Sequence, residues 1–186
     1  MRGLAEFSLL SGDLRAEGAN AARMREGIIN HQALQSLYEG GMQAEVPLEM
    51  TVPTKTCDLI VSGRADGLML GDGYVLIEEI KSAPGRVYQD DYPAHWAQAK
   101  GYALMACKKH NLSRATVRLV YVHSASSGAH TRFTREFTLA DLERDFSVLL
   151  EPYANWLDAQ VRFQDARDEF YIFFDPWFSI FKFKRG

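Results

Sequence analysis

Acidic residues occupy a segment whose pattern otherwise predicts two β-strands joined by a tight turn. Residues 63–82, GRADGLMLGDGYVLIEEIKS, alternate between polar and apolar on both sides of a Gly-Asp-Gly turn, which is typical of a hairpin. Carboxylates are depleted from half-buried strands, yet this hairpin carries Asp66 on its first strand and Glu78 and Glu79 on its second. A bound cation is the usual physical reason for acids at such positions.

The predicted cation ligands in this hairpin are Asp66, Glu79 and the backbone carbonyl of Ile80. Paired strands lie roughly 4.8 Å apart, so side chains on neighbouring strands can converge on one ion at roughly 2 Å from each oxygen. Lys81 follows Glu79 by two residues and therefore points to the same face of the strand. A Glu-x-Lys triplet also arises by chance, and an ion pair on an exposed edge strand is the alternative for Glu79 and Lys81.

Two predicted helices contribute further candidates. His31 lies four residues after Gly27, and it is either a cation ligand or a buried, hydrogen-bonded histidine. Glycine within a helix costs about 1 kcal/mol relative to alanine, so Gly27 predicts close packing at this point. Gln98 and Tyr102 lie one turn apart on one face of a later helix, where they either line a site or form a polar flank.

The elements that would position these residues follow the order α, α, β, β, β, α, β, β, α. Apolar spacing and capping signals predict helices near residues 4–12, 20–38, 93–110 and 138–156. Alternation predicts strands near residues 43–52, 57–70, 74–82, 115–124 and 130–138. The last helix is opened by a capping box formed by Thr138 and Asp141. The predicted class is α/β, with a five-stranded mixed sheet flanked by helices.

The order of these motifs resembles the PD-(D/E)XK nuclease superfamily, specifically its RecB-like branch. The shared features are Gly-x-x-x-His on an early helix, Gly-x-x-Asp ending a strand, Glu-x-Lys on the next strand and Gln-x-x-x-Tyr on the following helix. The stretches REGIINHQALQ, QAEVPL, GRADG, IEEIKS and HWAQAKGYA resemble the nuclease domain at the N-terminus of some bacterial DinG-type (XPD-like) helicases. The resemblance extends from about Leu4 to Trp156 and implies a restriction-endonuclease-like core.

The resemblance also implies a role for each candidate. Mn²⁺ or Mg²⁺ would be bound by His31, Asp66, Glu79 and the carbonyl of Ile80. Lys81 would orient or help to deprotonate the attacking water, and Gln98 and Tyr102 would line the groove. Magnesium prefers oxygen ligands whereas imidazole suits later first-row ions, so a site that includes His31 should favour Mn²⁺.

DNA is the expected partner, as single strands or ends supplied by a helicase or a repair partner. The DNA-binding candidates surround the proposed groove in sequence and could bind phosphates or stack on bases: Arg64, Arg86, Tyr88 and Lys100. The predicted function is therefore that of a metal-dependent deoxyribonuclease in DNA repair or recombination. The alternatives are a catalytically inactive DNA-binding or assembly module of the same fold, and a metallohydrolase of small phosphoesters. The sequence carries no Walker A loop, so no motor of its own is expected.

Composition and charge limit the other classes of function. The chain has 186 residues, of which 47% are hydrophobic and 24% charged, as in an ordinary soluble domain. Its formal net charge of −3 means that any DNA contact must come from a local basic patch. Cys57 and Cys107 are its two cysteines and cannot hold a four-thiolate iron–sulfur cluster, so none is expected. No stretch approaches the roughly 20 apolar residues of a membrane span, and a cytoplasmic location without a membrane partner is expected.

The C-terminus differs in composition from the rest of the chain. Residues 1–168 are the predicted nuclease domain, and residues 169–186 form a tail in which eight residues are aromatic. An aromatic tail of this kind is too apolar to remain free in water. It is expected either to dock on the domain or to form a surface for a partner.

Overall fold

The fold is described from a computed structural model, which describes residues 1–10, 21–83, 85–89, 91–123 and 129–174. Its helices are α1 (Arg2–Ser8), α2 (Ala21–Gln35), α3 (Pro93–His110) and α4 (Leu139–Phe174). Its strands are β1 (Gln43–Pro53), β2 (Asp58–Leu70), β3 (Val75–Ala83), β4 (Arg114–His123) and β5 (His130–Thr138). The predicted order of elements is confirmed, as is the α/β class with a five-stranded mixed sheet flanked by helices.

The five strands form one sheet in the order β1-β2-β3-β4-β5. Three neighbouring pairs are antiparallel, β1 with β2, β2 with β3 and β4 with β5, whereas β3 and β4 are parallel. Parallel neighbours need a crossover connection, and α3 provides it. The chain therefore leaves the end of β3 and returns to the sheet through the helix that carries Gln98 and Tyr102.

Helices cover both faces of the sheet. The larger core joins strand residues such as Leu68 and Leu119 to Leu104 of α3 and Leu142 of α4. On the opposite face, a smaller cluster joins Ile80, Val120 and Val122 to Leu34 of α2. Strand β3 is consequently buried on both faces over residues 75–80, as expected for a central strand with a parallel neighbour. This double burial places Glu78 and Glu79 inside the protein on opposite faces of the sheet.

Glycines mark the end of the second helix, although the helix is shorter than predicted. The regular α-helix ends at Gln35. The chain then continues to Tyr38 with hydrogen bonds of the 3₁₀ type, from the Leu37 N–H to the Leu34 carbonyl and from the Tyr38 N–H to the Gln35 carbonyl. Gly40 and Gly41 then adopt φ angles of 65° and 86°, which glycine reaches without steric cost. The turn ends this helical segment, and β1 begins at Gln43.

The predicted capping box is confirmed at the start of α4. The Asp141 backbone N–H donates to Thr138 Oγ1 at 3.1 Å, and the Thr138 N–H donates to Asp141 Oδ2 at 3.3 Å. These reciprocal bonds satisfy backbone donors that the first turn leaves unpaired. The helix continues to Phe174, so the first residues of the predicted aromatic tail extend α4, and residues 175–186 lie outside the described residues. Among the helices described, none combines the length and apolar character needed to cross a membrane.

Candidate active site

Strands β2 and β3 stop pairing at the position of Asp66. Their ladder runs from Leu70 opposite Val75 to Gly67 opposite Glu78; beyond it, β2 pairs with β1 and β3 pairs with β4. At the end of the ladder, Asp66 Oδ2 accepts a hydrogen bond of 2.7 Å from the Ile80 backbone N–H. A carboxylate thus takes the place of a backbone acceptor. Residues 58–66 of β2 and 79–83 of β3 are not paired with each other. We call the region between these two segments the fork.

The backbone carbonyl of Ile80 is directed toward the fork. In a strand, the N–H and C=O of one residue point to the same edge, and the Ile80 N–H is already bound to Asp66 across the fork. The pairing of β2 with β3 does not extend to Ile80. Its carbonyl oxygen is therefore oriented as a ligand for a cation in the fork would be.

His31 approaches Asp66 from α2. Its Nδ1 lies 3.5 Å from Asp66 Oδ1, which is the carboxylate oxygen that does not accept from the Ile80 N–H. The hydrogen bond to Asp66 raises the pKa of His31 above its ordinary value, against the opposing effect of burial. Gly27, one turn earlier, gives no sign of close packing, because an added Cβ would lie 3.9 Å from Ser82 Oγ, an ordinary contact. The expectation of tight packing at Gly27 was wrong.

Glu79 is buried with one oxygen bonded and the other unpartnered. Only 2% of the residue is exposed, and its Oε1 accepts hydrogen bonds from Lys81 Nζ at 2.7 Å and Gln98 Nε2 at 2.8 Å. Its Oε2 is buried and has no hydrogen-bond partner among the described residues. Burial raises the pKa of Glu79 to about 7, although Lys81 opposes the shift. A buried carboxylate with an unsatisfied oxygen is the kind of group that a positive charge stabilises.

Gln98 and Tyr102 complete this arrangement from α3. Gln98 bridges the pair, since its Oε1 also accepts from Lys81 Nζ at 3.1 Å, and its Nε2 lies 3.3 Å from the Tyr102 hydroxyl. Burial raises the pKa of Tyr102. The Tyr102 ring lies against β2 at Gly63, where an added Cβ would come within 2.7 Å of the ring. The Gly-x-x-Asp motif thus has a physical reason: its glycine makes room for the tyrosine.

Sequence reasoning did not place Glu45 among the ligands, but the structure brings it to Asp66. Ligand atoms of His31, Glu45 and Asp66 all lie within 4.8 Å of one another, a spacing at which they could share a metal ion. Glu79 is not a member of this cluster. Glu45 has a φ angle of 56°, and its carboxylate is 2.6 Å from Arg64 Nε. The sequence indicated Glu45 only as a possible group around the ligands and did not indicate its neighbour Gln35, which donates to Glu45 Oε1 at 2.8 Å and to the Asp66 carbonyl at 3.0 Å.

Only a weak signal in the sequence pointed to these two residues. Gln35 follows His31 by four residues and therefore shares its face of α2. Glu45 lies opposite Asp66 because its neighbours Ala44 and Val46 pair with Gly67 and Ala65. The pairing register of β1 against β2 cannot be derived from the local periodicity of the sequence.

The predicted DNA-binding residues do not form one group. Arg64 is two residues from Asp66 on β2 and is bound to Glu45. Arg86 lies over the Tyr88 ring, 5.6 Å from its centroid, in the segment that follows β3. Lys100 points elsewhere: its Nζ is 2.7 Å from Asp145 Oδ2 of α4 and 5.6 Å from the centre of the Phe137 ring. The structure does not bring Lys100 together with the site residues.

Glu78 serves a different purpose from its neighbour. As its strand position predicts, it points to the face opposite Glu79, where its carboxylate accepts from the Tyr38 hydroxyl at 2.9 Å and from Arg118 at 3.1 Å. Both of its oxygens are therefore satisfied, in contrast to those of Glu79. Glu78 therefore forms a structural ion pair with Arg118, and it serves as a comparison for Glu79, the neighbouring buried carboxylate.

His31, Glu45 and Asp66 are spaced so that they could share a cation. Ile80, whose N–H binds Asp66, and the adjacent Glu79, which is bonded to Lys81, offer further oxygen atoms. Oxygen ligands suit Mg²⁺ and Mn²⁺, and imidazole suits the later first-row ions. Chemistry at a phosphate ester is one use of such a combination.

Comparisons with known proteins leave the family open. No family model matches the chain, and no curated protein matches it significantly. Ten chains of solved structures match. Among them is the crystal structure of SSO0001, which is 20% identical with a TM-score of 0.47; the match covers 72% of this chain and 61% of the length of that one. Membership of the PD-(D/E)XK superfamily therefore stays a prediction from the sequence motifs.

Proposed function

We propose that the protein is a metal-dependent deoxyribonuclease with a restriction-endonuclease-like core, which hydrolyses phosphodiester bonds by attack of water. The observation that carries the proposal is the buried, unpartnered Oε2 of Glu79 next to the Lys81 ammonium group. An unsatisfied buried acceptor costs about 1–3 kcal/mol, and more when it is charged. A protein that keeps such a group in its interior gains from a ligand that neutralises it.

The residues present fit Mn²⁺ or Mg²⁺. We assign the cation to His31, Asp66, Glu79 and the Ile80 carbonyl, a set of oxygen ligands with one imidazole that favours Mn²⁺. Glu45 is a further candidate, but both of its carboxylate oxygens are engaged, Oε1 by Gln35 and Oε2 by Arg64, whereas Oε2 of Glu79 has no partner among the described residues, so we rank Glu45 below Glu79. When bound, the cation would lower the pKa of a water molecule and offset negative charge on the phosphate.

The chain's own residues would hold the substrate and the charge. The Lys81 ammonium group is fixed by Glu79 at 2.7 Å and by Gln98 at 3.1 Å, and it presents a compact positive charge to the non-bridging oxygens of a phosphate. Gln98 acts as a positioning residue because it bonds both members of the Glu79–Lys81 pair. Tyr102 in turn contacts Gln98 from the next turn of α3.

The proposed substrate is DNA, as single strands or ends, and the proposed partner is a helicase or a repair protein. Both statements derive from the resemblance of the motifs. Arg64, Arg86 and Tyr88 remain candidate contacts because they lie close to Asp66 and Lys81 along β2 and after β3. Lys100 is withdrawn from the proposal because Asp145 engages it.

A matched pair of lysine variants tests the reaction. Lys81→Met removes the ammonium group and keeps the aliphatic stem, whereas Lys108→Met does the same to a lysine that is also 2.7 Å from a carboxylate, Glu143, on the outside of α3. Cleavage of single-stranded and plasmid DNA with Mn²⁺ or Mg²⁺ should fall about 100-fold or more in the first variant. It should stay near the wild-type rate in the second, and both variants should bind DNA.

Two results would contradict the proposal. If the wild-type protein binds DNA but cleaves none with either metal, it is a binding or assembly module. If it hydrolyses a nitrophenyl phosphate faster than any DNA substrate, it is a phosphoesterase of small molecules. Equal cleavage by Lys81→Met and wild type would remove Lys81 from the mechanism.

A further inference from the structure

A cavity opens beside the site residues, on the side of Lys81 and Gln98 that faces α1. Its volume is about 460 Å³, and its walls come from α1, the end of β3 and the start of α3. The residues that matter for its chemistry are Arg2, Leu9, Lys81, Tyr92, His95 and Gln98. The volume falls within the range of small-molecule sites, roughly 300–1,000 Å³, and is therefore sufficient for one planar heterocycle.

The charges that line the cavity are compensated. Arg2 Nε is 2.7 Å from Glu6 Oε1, and Lys81 Nζ is 2.7 Å from Glu79 Oε1. Asp91, also on the wall, adds a negative charge. Apart from Lys81, which the proposed function assigns to the phosphate, the wall therefore offers no spare positive charge for an anion, and a neutral planar ligand suits the rest of the cavity better than a second phosphate does.

Aromatic rings form one side of the cavity. The Tyr92 ring stacks on His95, with centroids 5.0 Å apart and planes inclined by 22°, and it lies 5.8 Å from Tyr121. His95 Nδ1 is 2.9 Å from the Tyr121 hydroxyl. Although one side of the ring is supported in this way, Tyr92 is still 41% exposed. An exposed aromatic ring backed by other rings is a stacking platform for a base.

The platform is held in place before any ligand arrives. Tyr92 is the residue immediately before α3, whose first residue is Pro93. In the preceding segment, Asp91 Oδ2 accepts from the Tyr88 N–H at 2.7 Å, and Trp96 Nε1 donates to the Gln89 carbonyl at 2.7 Å. These bonds fix the backbone on the N-terminal side of the ring, so little ordering would be needed on binding.

We propose that this cavity binds one unstacked nucleobase, which stacks on Tyr92 while the adjoining phosphate lies at Lys81. The inference rests on the proposed nuclease function for its choice of ligand. A paired base cannot enter, so a base must leave its stack, and a duplex would have to pay the cost of unpairing. Tyr92 is thus the residue that selects strands with free bases.

Binding measurements in EDTA test the cavity without cleavage. The probes are a short fluorescent oligothymidine and a strand with the same sugar–phosphate backbone but no bases, titrated by anisotropy. Wild-type protein should prefer the oligothymidine. Tyr92→Ala should weaken its binding about 5- to 100-fold and leave the base-free strand unchanged, whereas Tyr92→Phe should bind both probes as wild type does. Tyr74→Ala makes the same truncation at the residue just before β3, at the opposite end of that strand from Lys81. It should change neither affinity.

The outcomes separate this inference from the nuclease proposal. If Tyr92→Ala binds oligothymidine as tightly as wild type, or loses affinity equally for both strands, the base site is overturned. If the Tyr92 effect is found but wild type cleaves no DNA with Mn²⁺, the base site stands and the nuclease function falls. If wild type cleaves DNA and Tyr92→Ala cleaves it with an unchanged KM, the nuclease stands and the base site falls.

Discussion

Replacement of Glu79 by glutamine should remove the stabilisation that Mn²⁺ gives to the folded protein. In Glu79→Gln the amide keeps an oxygen that can accept from Lys81 and Gln98, as Oε1 of the native residue does. It loses only the negative charge on a group that is 2% exposed. Without metal, the variant should therefore unfold within a few degrees of the wild type. With metal, the two proteins should differ.

The size of that difference follows from linkage. A ligand present at about 100 times its Kd stabilises the folded state by about 2.7 kcal/mol. In a domain of 150–250 residues each kcal/mol raises Tm by about 2–4 °C, so wild type should gain roughly 5–10 °C. If Glu79→Gln weakens binding about 100-fold, the remaining stabilisation is about 0.4 kcal/mol, which is roughly 1–2 °C.

Thermal unfolding with increasing Mn²⁺ measures this effect without any substrate. Glu78→Gln is the matched control, since Glu78 is the adjacent buried carboxylate but is bound to Tyr38 and Arg118 on the opposite face of the sheet. It should lower the metal-free Tm modestly, because Arg118 loses its carboxylate partner but is itself one-third exposed to solvent, and it should keep the full Mn²⁺ shift. Glu45→Gln should keep most of the shift, because both oxygens of that carboxylate are already engaged, by Gln35 and Arg64.

Two results would refute the reasoning. A Mn²⁺ shift of unchanged size in Glu79→Gln would show that the unpartnered oxygen does not bind the cation. Loss of the shift in Glu45→Gln but not in Glu79→Gln would move the metal to the His31–Glu45–Asp66 cluster.

Three further predictions concern metal choice, pH and packing. Wild type should require less Mn²⁺ than Mg²⁺ for half-maximal stabilisation, and His31→Ala should abolish the preference because only oxygen ligands remain; equal requirements in wild type would exclude His31 as a ligand. Burial first, and nearby cations second, lower the pKa of His95 to about 4, so at His95 the unfolded chain takes up a proton before the folded protein does, and the contribution of His95 to stability should fall as pH drops from about 6.5 toward 4. Glu79 and His31, whose pKa values are raised, act in the opposite direction over the same range, so the effect is measured as a difference between two proteins. After allowance for the partial exposure of the ring, His95→Gln should gain about 1 kcal/mol relative to wild type between pH 7 and 5 by urea denaturation; the same pH dependence in both proteins would contradict the assignment to His95. Gly63→Ala should cost about 1–3 kcal/mol and reduce cleavage, because its Cβ would lie 2.7 Å from the Tyr102 ring; Gly3→Ala, with nothing within 4 Å, should cost nothing, and equal unfolding of the two variants would contradict the crowding.

The sequence by itself determined the features that depend on local periodicity. The two-residue repeat of β3 puts Glu79 and Lys81 on one face and Glu78 on the other, and the structure confirms this division. The four-residue spacing of Gln98 and Tyr102 likewise puts both on one face of α3. The same spacing argues against Lys100, which lies two residues from each and therefore on a different face of the helix, so that residue could have been left out before the structure was known.

The tertiary structure decided which of these faces meet. The fork depends on where the β2–β3 ladder stops, and the approach of Glu45 to Asp66 depends on the register of β1 against β2. Neither is a local property, because a register is fixed by the packing of whole faces, and slipping it by one residue would turn every side chain to the opposite side. Burial of Glu79 beneath α3 likewise exists only after the crossover helix has docked. The raised pKa of this carboxyl group follows from the same burial.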